Sequence, residues 1–366
     1  MELSVPIPER KINALVVDDS EVARQLLTHI LEGDPKICVV GTAKDGQAAV
    51  DFVTERRPDI VLMDINMPGM DGFEATRRIM ETSPVPIVIC SGVLNPNEVA
   101  TTFRVMEAGG LTCIEKPPGP EHPEYAEKAA TVRQMVRLMA EVKVVRRWPA
   151  SRMAGLAAAD PFTTEKRSKG SIRFVGIGAS TGGPPALQTI LAGLPKDFPA
   201  PILIVQHIAR GFLSGLADWL NQTTPLQVHI GGHSMRPLPG HVYLAPDDFH
   251  MGVNTGGFIT LSTAAAENGL RPAVSYMFRS LAENCGAEAV GVLLTGMGRD
   301  GAVELKQMRD TGALTIAQDR ESSVVHGMPA EAIARGGAVQ ILPPERIAVA
   351  LSNLVQRKTA SGDFSL

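Results

Sequence analysis

The chain has 366 residues, with 35 Lys and Arg against 39 Asp and Glu for a formal charge of −4 at neutral pH. That length exceeds one hydrophobic core and leads us to expect two domains. The mildly acidic balance excludes the broad positive field of a protein that tracks nucleic acid or anionic lipid, so no nucleic-acid partner is expected.

In chain order, Met1 to Lys11 lacks the apolar core of a signal peptide, and no later stretch reaches the ~18 uninterrupted apolar residues of a membrane span. Cys38, Cys90, Cys113 and Cys285 are scattered with no CxxC pair, which points to reduced thiols rather than a disulfide framework or a zinc site. The expectation is a cytoplasmic protein with no direct membrane insertion. From residue 13 to about 118, short apolar runs alternate with helical patterns, as in a parallel sheet with crossover helices. Ala14-Leu15-Val16-Val17, Ile60-Val61-Leu62-Met63 and Ile87-Val88-Ile89-Cys90 read as buried strands. Ser20 reads as the N-cap of a helix whose Val22, Leu26, Leu27, Ile30 and Leu31 are expected to share one face.

Polar residues close these strands. Asp18 and Asp19 end the first, Asp64 the third and Ser91 the fourth, while Lys116 comes after Leu111-Thr112-Cys113-Ile114. All five are expected at the carboxyl edge of one sheet. Three clustered carboxylates repel one another unless a cation joins them, and oxygen ligands favour a hard ion such as Mg²⁺. Between that ion and the Lys116 ammonium, Asp64 is suited to accept a phosphoryl group, because both cations neutralise its oxygens during transfer. Solvated acids capping helices would explain any one of these positions, but not all five together.

Val16-Val17-Asp18-Asp19-Ser20, Met63-Asp64-Ile65-Asn66-Met67-Pro68-Gly69-Met70-Asp71-Gly72 and Glu115-Lys116-Pro117 resemble the signatures of response-regulator receiver domains. The resemblance covers about the first third of the chain and implies a flavodoxin-like fold with Asp64 phosphorylated by a histidine kinase. It also implies Mg²⁺ held by Asp19, Asp64 and the Asn66 backbone carbonyl, with Asp18 assisting, and a phosphoryl group sensed by Ser91 and Lys116. One position departs from the pattern. Cys113 stands three residues before the lysine, where many receivers have an aromatic switch residue.

Next, Pro117-Pro118-Gly119-Pro120 breaks regular structure. Tyr125, Ala129, Val132, Val136, Met139 and Val142 then keep helical spacing as the last helix of the first module, extended toward a linker. From Trp148 to Gly170 no period holds, and the composition reads as a flexible tether. The Arg146-Arg147 and Lys166-Arg167 pairs within and beside it read as solvated charge. The expected boundaries are therefore a first domain at 12–146, a linker at 147–170 and a second domain at 171–358.

In the second module three near-continuous apolar strands precede residues of hydrolytic chemistry. Ile172-Arg173-Phe174-Val175-Gly176-Ile177 leads to Ser180, Pro201-Ile202-Leu203-Ile204-Val205 to His207, and Val290-Gly291-Val292-Leu293-Leu294 to Asp300. Such strands, with helical segments between them, indicate a second doubly wound α/β domain, in which strand ends converge on one edge. Gly178-Ala179-Ser180-Thr181-Gly182 fits G-x-S-x-G, a tight strand-to-helix turn that exposes the hydroxyl and turns backbone N–H groups toward a developing oxyanion. A serine hydroxyl is a poor nucleophile until a base takes its proton. The His207 imidazole can do that, and an ionised Asp300 would stabilise the imidazolium formed. The order Ser, His, Asp differs from that of the α/β-hydrolases.

Each of the three has a plainer reading alone: helix cap, strand-end histidine, turn residue. Their joint placement favours a site. A dinucleotide loop is the sharper rival, since Gly176-x-Gly178 precedes Gly182-Gly183, but such a site calls for an acid at the end of the next strand, and this strand ends in Gln206-His207. His229, His233, His241 and His250 lack metal-site spacing, so no cofactor is expected for chemistry at Ser180.

An ordered set of motifs spans nearly all of this module: Gly178 to Gly183, Val205-Gln206-His207-Ile208, Ala245-Pro246-Asp247-Asp248-Phe249-His250, Arg271-Pro272-Ala273-Val274, Leu294 to Gly301, and Ser322 to Pro329. The set resembles the CheB family of chemotaxis protein-glutamate methylesterases. It implies two doubly wound parallel-sheet domains, a flavodoxin-like receiver and a Rossmann-like esterase, joined by a linker. It further implies Ser180 as nucleophile, His207 as general base and Asp300 as its orienter, with Thr181 and the Met297 backbone N–H near the oxyanion. The implied activity is demethylation of γ-glutamyl methyl esters on chemoreceptors, releasing methanol, together with deamidation of receptor glutamines, under control of the phosphorylated receiver. Methylated chemoreceptors and a histidine kinase are then the partners. Ser275 and His326 depart from the pattern, standing where an acidic and an aromatic residue are common. A nucleotide-dependent oxidoreductase and a non-catalytic receptor-binding adaptor are the alternatives.

Overall fold

A computed structural model describes residues 10–92, 105–106, 108–142, 144 and 172–356. The expected linker at 147–170, with its Arg146-Arg147 and Lys166-Arg167 pairs, lies outside the described residues. The chain divides into two compact units, Met1–Leu156 and Ala157–Leu366.

In the first unit, strands β1 (Ile12–Val17), β2 (Ile37–Ala43), β3 (Ile60–Met63), β4 (Ile87–Ser91) and β5 (Thr112–Glu115) form a parallel sheet in the order β2-β1-β3-β4-β5. Helices α1 (Glu21–Glu32), α2 (Gly46–Arg56), α3 (Gly72–Thr82) and α4 (Tyr125–Ala140) are described with it. The first three begin on side-chain caps, where Ser20, Asp45 and Asp71 accept from the N–H groups of Ala23, Ala48 and Glu74. Leu15, Val61, Ile87 and Ile89 are fully buried in the sheet, each such side chain contributing about 1.5–3 kcal/mol by leaving water. Helix α1 buries Leu27, Ile30 and Leu31, but Val22 is 75% exposed, which corrects its expected place on the buried face. At about 100° per residue Val22 points away from the other three. Helix α4 buries Ala129, Val132, Val136 and Met139 and ends at Ala140, before Val142.

In the second unit, strands β6 (Phe174–Ala179), β7 (Ile202–Gln206), β8 (Gln227–Ile230), β9 (His241–Leu244), β12 (Ala289–Leu293), β13 (Leu314–Gln318) and β14 (Gln340–Leu342) form one parallel sheet, ordered β14-β13-β12-β6-β7-β9-β8. An antiparallel hairpin, β10 (His250–Val253) and β11 (Ile259–Ser262), stands apart from it. The helices are α5 (Gly183–Ala192), α6 (Leu213–Thr223), α7 (Val274–Asn284), α8 (Ala302–Asp310), α9 (Met328–Ala334) and α10 (Pro344–Gln356). Leu203, Val205, Phe278, Leu281, Leu293 and Leu305 belong to one fully buried cluster that joins α7 and α8 to the sheet.

Strand order reverses between β1 and β3 in the first sheet and between β6 and β12 in the second. Ligand crevices of open α/β sheets lie at such points, beyond the carboxyl ends of the strands. Both doubly wound parallel sheets expected from the sequence are therefore present. Among the described residues no helix is long and apolar enough to cross a membrane.

Candidate functional site

The first crevice gathers acids. Asp18 and Asp19 come directly after β1, Asp64 directly after β3, and one oxygen from each lies within 4.8 Å of the others. Asp18 and Asp64 are buried while Asp19 is exposed. Lys116, at the end of β5, places Nζ 2.8 Å from Asp18 Oδ2 and 3.0 Å from Asp64 Oδ1. Burial pushes the Asp64 carboxyl above its ordinary value; Lys116 opposes this and the Asp18 charge adds to it. Burial alone would lower the Lys116 ammonium, yet its contacts with Asp18 and Asp64 win and hold it above its ordinary value. The three carboxylates form an oxygen-only donor set open to solvent at Asp19, which fits a hard divalent ion. Ser91 closes β4 and is buried; Asn66 is two residues beyond Asp64.

The second crevice gathers a hydroxyl, an imidazole and a carboxylate. Strands β6 and β7 run in register up to Ala179 and Gln206, so Ser180 and His207 are the next residues on neighbouring strands. The His207 N–H donates to Ala179 O at 2.9 Å. Gln206 Nε2 donates to the carbonyls of both Ser180 and His207 at 2.8 Å, so one amide nitrogen ties the two strand ends together. That position is where a dinucleotide site would need its acid. Gly182, with φ +76°, makes the turn into α5 that a residue with a side chain would adopt only under strain.

Asp300 reaches the same crevice from the loop after β12. Its Oδ2 lies 3.0 Å from His207 Nε2, an ion-pair distance at which the ring N–H is not aligned as a hydrogen bond. Val274 N donates to Asp300 Oδ2 at 2.7 Å and Ser275 N to Oδ1 at 3.1 Å, so the carboxylate caps α7, a helix with no side-chain cap of its own. Burial would raise the Asp300 carboxyl, but the His207 contact and the hydrogen bonds from Ser275 and Val274 outweigh it and hold it below its ordinary value. Among the described residues Ser180 Oγ has no hydrogen-bond partner; His207 and Asp300 are the pair brought into direct contact.

The remaining candidates sit around Ser180. Ser180 N donates to Thr295 O at 3.0 Å, and a Cβ at Gly296 would lie 2.6 Å from Ser180 Cβ, so the loop carrying Met297 runs directly against it. Thr181 is buried, and its carbonyl accepts from Thr295 Oγ1 at 2.9 Å; Met297 is 38% exposed. His326, one of the positions that depart from the resemblance, bridges Gly296 through the backbone, and burial together with the Arg320 charge lowers its imidazole below the ordinary value. Ser275, the other, is buried and accepts the Gly301 N–H at 3.0 Å.

The residues that sequence reasoning does not single out are Val274, Thr295 and Gln206 in its tying role. Each lies inside one of the quoted motifs, but Val274 acts through its backbone and Thr295 through a short hydroxyl, so residue type alone gives neither a role.

Known proteins share both crevices' sequence surroundings. Residues 175–351 match the CheB methylesterase family and residues 14–123 the response regulator receiver domain. The chain is 54% identical over 348 residues to protein-glutamate methylesterase/protein-glutamine glutaminase 4 of Geobacter metallireducens, covering 95% of this chain and 100% of the relative. It is 51% identical over 347 residues to protein-glutamate methylesterase/protein-glutamine glutaminase of Nitrosospira multiformis, covering 95% of this chain and 98% of the relative. Among solved structures, the Thermotoga maritima CheB methylesterase catalytic domain is 41% identical over 50% of this chain and 100% of its own, with a TM-score of 0.49. Neither the oxidoreductase nor the adaptor reading gains support from these matches. With near-complete coverage of relatives more than half identical, the chain belongs to the CheB family of methylesterases that carry a response-regulator receiver domain.

Proposed function

We propose that the protein is a phosphorylation-activated serine esterase that removes methyl groups from γ-glutamyl methyl esters of chemoreceptors, releasing methanol, and deamidates receptor glutamines. The observation that supports this reading is that Ser180 and His207 follow the neighbouring strands β6 and β7 at the switch-point edge, where Asp300 Oδ2 lies 3.0 Å from His207 Nε2.

In this mechanism Ser180 Oγ attacks the ester carbonyl as His207 takes its proton. With Nε2 turned to Asp300, Nδ1 is the accepting nitrogen. The depressed Asp300 carboxyl stays ionised and stabilises the imidazolium. Negative charge on the tetrahedral carbonyl oxygen faces the backbone donors near Thr181 and Met297. Collapse breaks the bond to methoxide, which leaves as methanol with the proton from His207. Water, deprotonated by His207, then hydrolyses the acyl-enzyme to the glutamate carboxylate and free Ser180. A glutamine takes the same course with ammonia as the leaving group.

The domains in this reading are a receiver at 12–146, a linker at 147–170 and the esterase at 171–358. Asp64 takes a phosphoryl group from a histidine kinase, and Ser91 and Lys116 meet that group. Asp19, Asp64 and the Asn66 carbonyl, with Asp18 beside them, would hold Mg²⁺, which when bound would neutralise the phosphoryl oxygens. The reaction at Ser180 uses no cofactor. The protein works in the cytoplasm, where the receptor helices and the kinase are accessible.

The test is methanol release from methylated receptor by the parent and by Ser180→Ala. Turnover by Ser180→Ala is expected to fall by about 10³-fold or more while receptor binding is retained. Equal turnover would exclude the esterase, and saturable NAD(P) binding abolished by a Gly178 substitution would favour an oxidoreductase in its place.

A further inference from the structure

We propose that His250 is a positioning residue for the Asp300–His207 pair, acting through the first turn of α7; the assignment rests on the proposed esterase function. His250 opens β10, is fully buried, and lies flat on Tyr276 with ring centroids 4.8 Å apart and planes 14° from parallel. Both ring nitrogens meet backbone groups of fixed character. The Ala273 N–H donates to Nδ1 at 3.2 Å, and Nε2 stands 3.1 Å from the Ala265 carbonyl oxygen. An N–H only donates and a C=O only accepts, so this geometry selects the tautomer with its proton on Nε2.

Ala273 immediately precedes α7 and offers no side-chain cap. The next two N–H groups, from Val274 and Ser275, both end on Asp300, and the oxygen that receives Val274 also faces His207. Three consecutive N–H groups thus leave one turn of chain: His250 holds the first, and the other two hold the carboxylate. A peptide plane that loses its acceptor at Ala273 turns toward another partner, because a buried N–H left unpaired is costly. Its neighbours turn with it. Asp300 has both oxygens engaged by that turn, so its carboxylate moves too, and the contact with His207 opens. His250 itself touches none of Ser180, His207 or Asp300 through the hydrogen bonds of the described residues, which makes its role indirect.

The full-length chain carrying His250→Asn is compared with His250→Gln. Asn brings Oδ1 near the place of Nδ1 and keeps an acceptor for Ala273. Gln reaches toward Ala265 with its amide and leaves Ala273 unserved. The expected result is that Asn keeps kcat for methanol release within about threefold of the parent, while Gln loses about 10- to 100-fold in kcat with little change in KM, the size of loss a displacement of about 1 Å produces. In an Asp300→Ala background, His250→Gln is expected to add less than about twofold, because the group it acts through is gone. Equal losses for Asn and Gln, or the same loss with and without Asp300, would overturn the assignment. Failure of His250→Gln to fold, read by circular dichroism, would overturn it as well, as the mark of a structural role. Ser180→Ala measured alongside separates the two readings. If it matches the parent, the esterase reading fails whatever the His250 variants do; if it alone is inactive and both His250 variants match the parent, only the assignment to His250 falls.

Discussion

A single methyl group added at position 296 would lie 2.5 Å from Met328 Sδ and 2.6 Å from Ser180 Cβ. Neither neighbour has room to yield. Met328 is fully buried, and Ser180 N is already tied to Thr295 O. The Gly296 carbonyl also accepts from Gly327 and Met328 N–H groups, so the loop cannot lift away without breaking the entry to α9. Overpacking of this kind costs about 1–3 kcal/mol in stability, which a folded domain survives. The displacement falls on the nucleophile. Gly296→Ala is therefore expected to remain folded with a lowered melting temperature, while kcat/KM for methanol release drops by about 100-fold. Thermal melts and initial rates on the same preparation check this, and near-parent rates would mean that the Met297 loop is free to retreat from Ser180.

At the scale of elements, the telling piece is α7. Helices α1, α2 and α3 each start on a Ser or Asp of their own, but α7 starts on Ala273 and borrows the Asp300 carboxylate from the loop after β12. One group therefore serves as helix cap and as partner of His207. Because its folded value lies below the ordinary carboxylate value, ionised Asp300 contributes stability in full above about pH 4, and that contribution is lost as pH falls through the lower folded value. Asp300→Asn is expected to cost about 1.5–3 kcal/mol at neutral pH, the range for hydrogen bonds to a charged group, with the gap closing progressively below about pH 4. Urea unfolding of parent and variant across that range measures it. A gap that persists unchanged under acid would show that the charge of Asp300 contributes nothing to holding α7.

The same contrast explains what is legible in the sequence. Parallel strands covered on both faces read as unbroken apolar runs, so the polar residue that ends each run stands out, as Asp18, Asp64, Ser180 and His207 all do. The switch point then brings such ends together without any further information. Backbone donors carry no such mark. The N–H groups of Val274 and Ser275 that fix Asp300 are invisible in residue types, and Ser275 registers only as a departure from a family pattern. Gln206 stands out for the acid it is not, and its tie between two strand ends depends on an amide orientation that spacing does not encode. Val22 misleads because an apolar residue in a first turn fits a loose count of helical spacing while lying off the buried face.

For the whole molecule, the proposed function requires a change at Asp64 to alter a rate at Ser180, although the two lie in separate compact units. The energetic cause is the charge of the phosphoryl group, about −1.5 to −2, added to a carboxylate that is already buried beside Asp18. Lys116, in contact with both Asp18 and Asp64, is the cation that must rearrange when that charge arrives. A ligand shifts an equilibrium only by its difference in affinity for the two states, so each tenfold of activation demands about 1.4 kcal/mol of coupling between the units. The basal rate, by contrast, is the turnover at Ser180 while Asp64 carries no phosphoryl group. A small-molecule phosphodonor is therefore expected to raise methanol release by the parent and to leave Asp64→Ala at the basal rate of the untreated parent. Chelation with EDTA separates the two crevices further. Removing divalent ions withdraws the cation that the Asp18, Asp19 and Asp64 oxygens are arranged to bind, and so abolishes the response to the phosphodonor. It is expected to leave the basal rate unchanged, since the chemistry proposed for Ser180, His207 and Asp300 moves protons between side chains and uses no metal ion. The measurement is one assay under four conditions, with and without phosphodonor and EDTA. Activation that survives EDTA, or an equal response from Asp64→Ala, would place the control of this esterase outside its receiver.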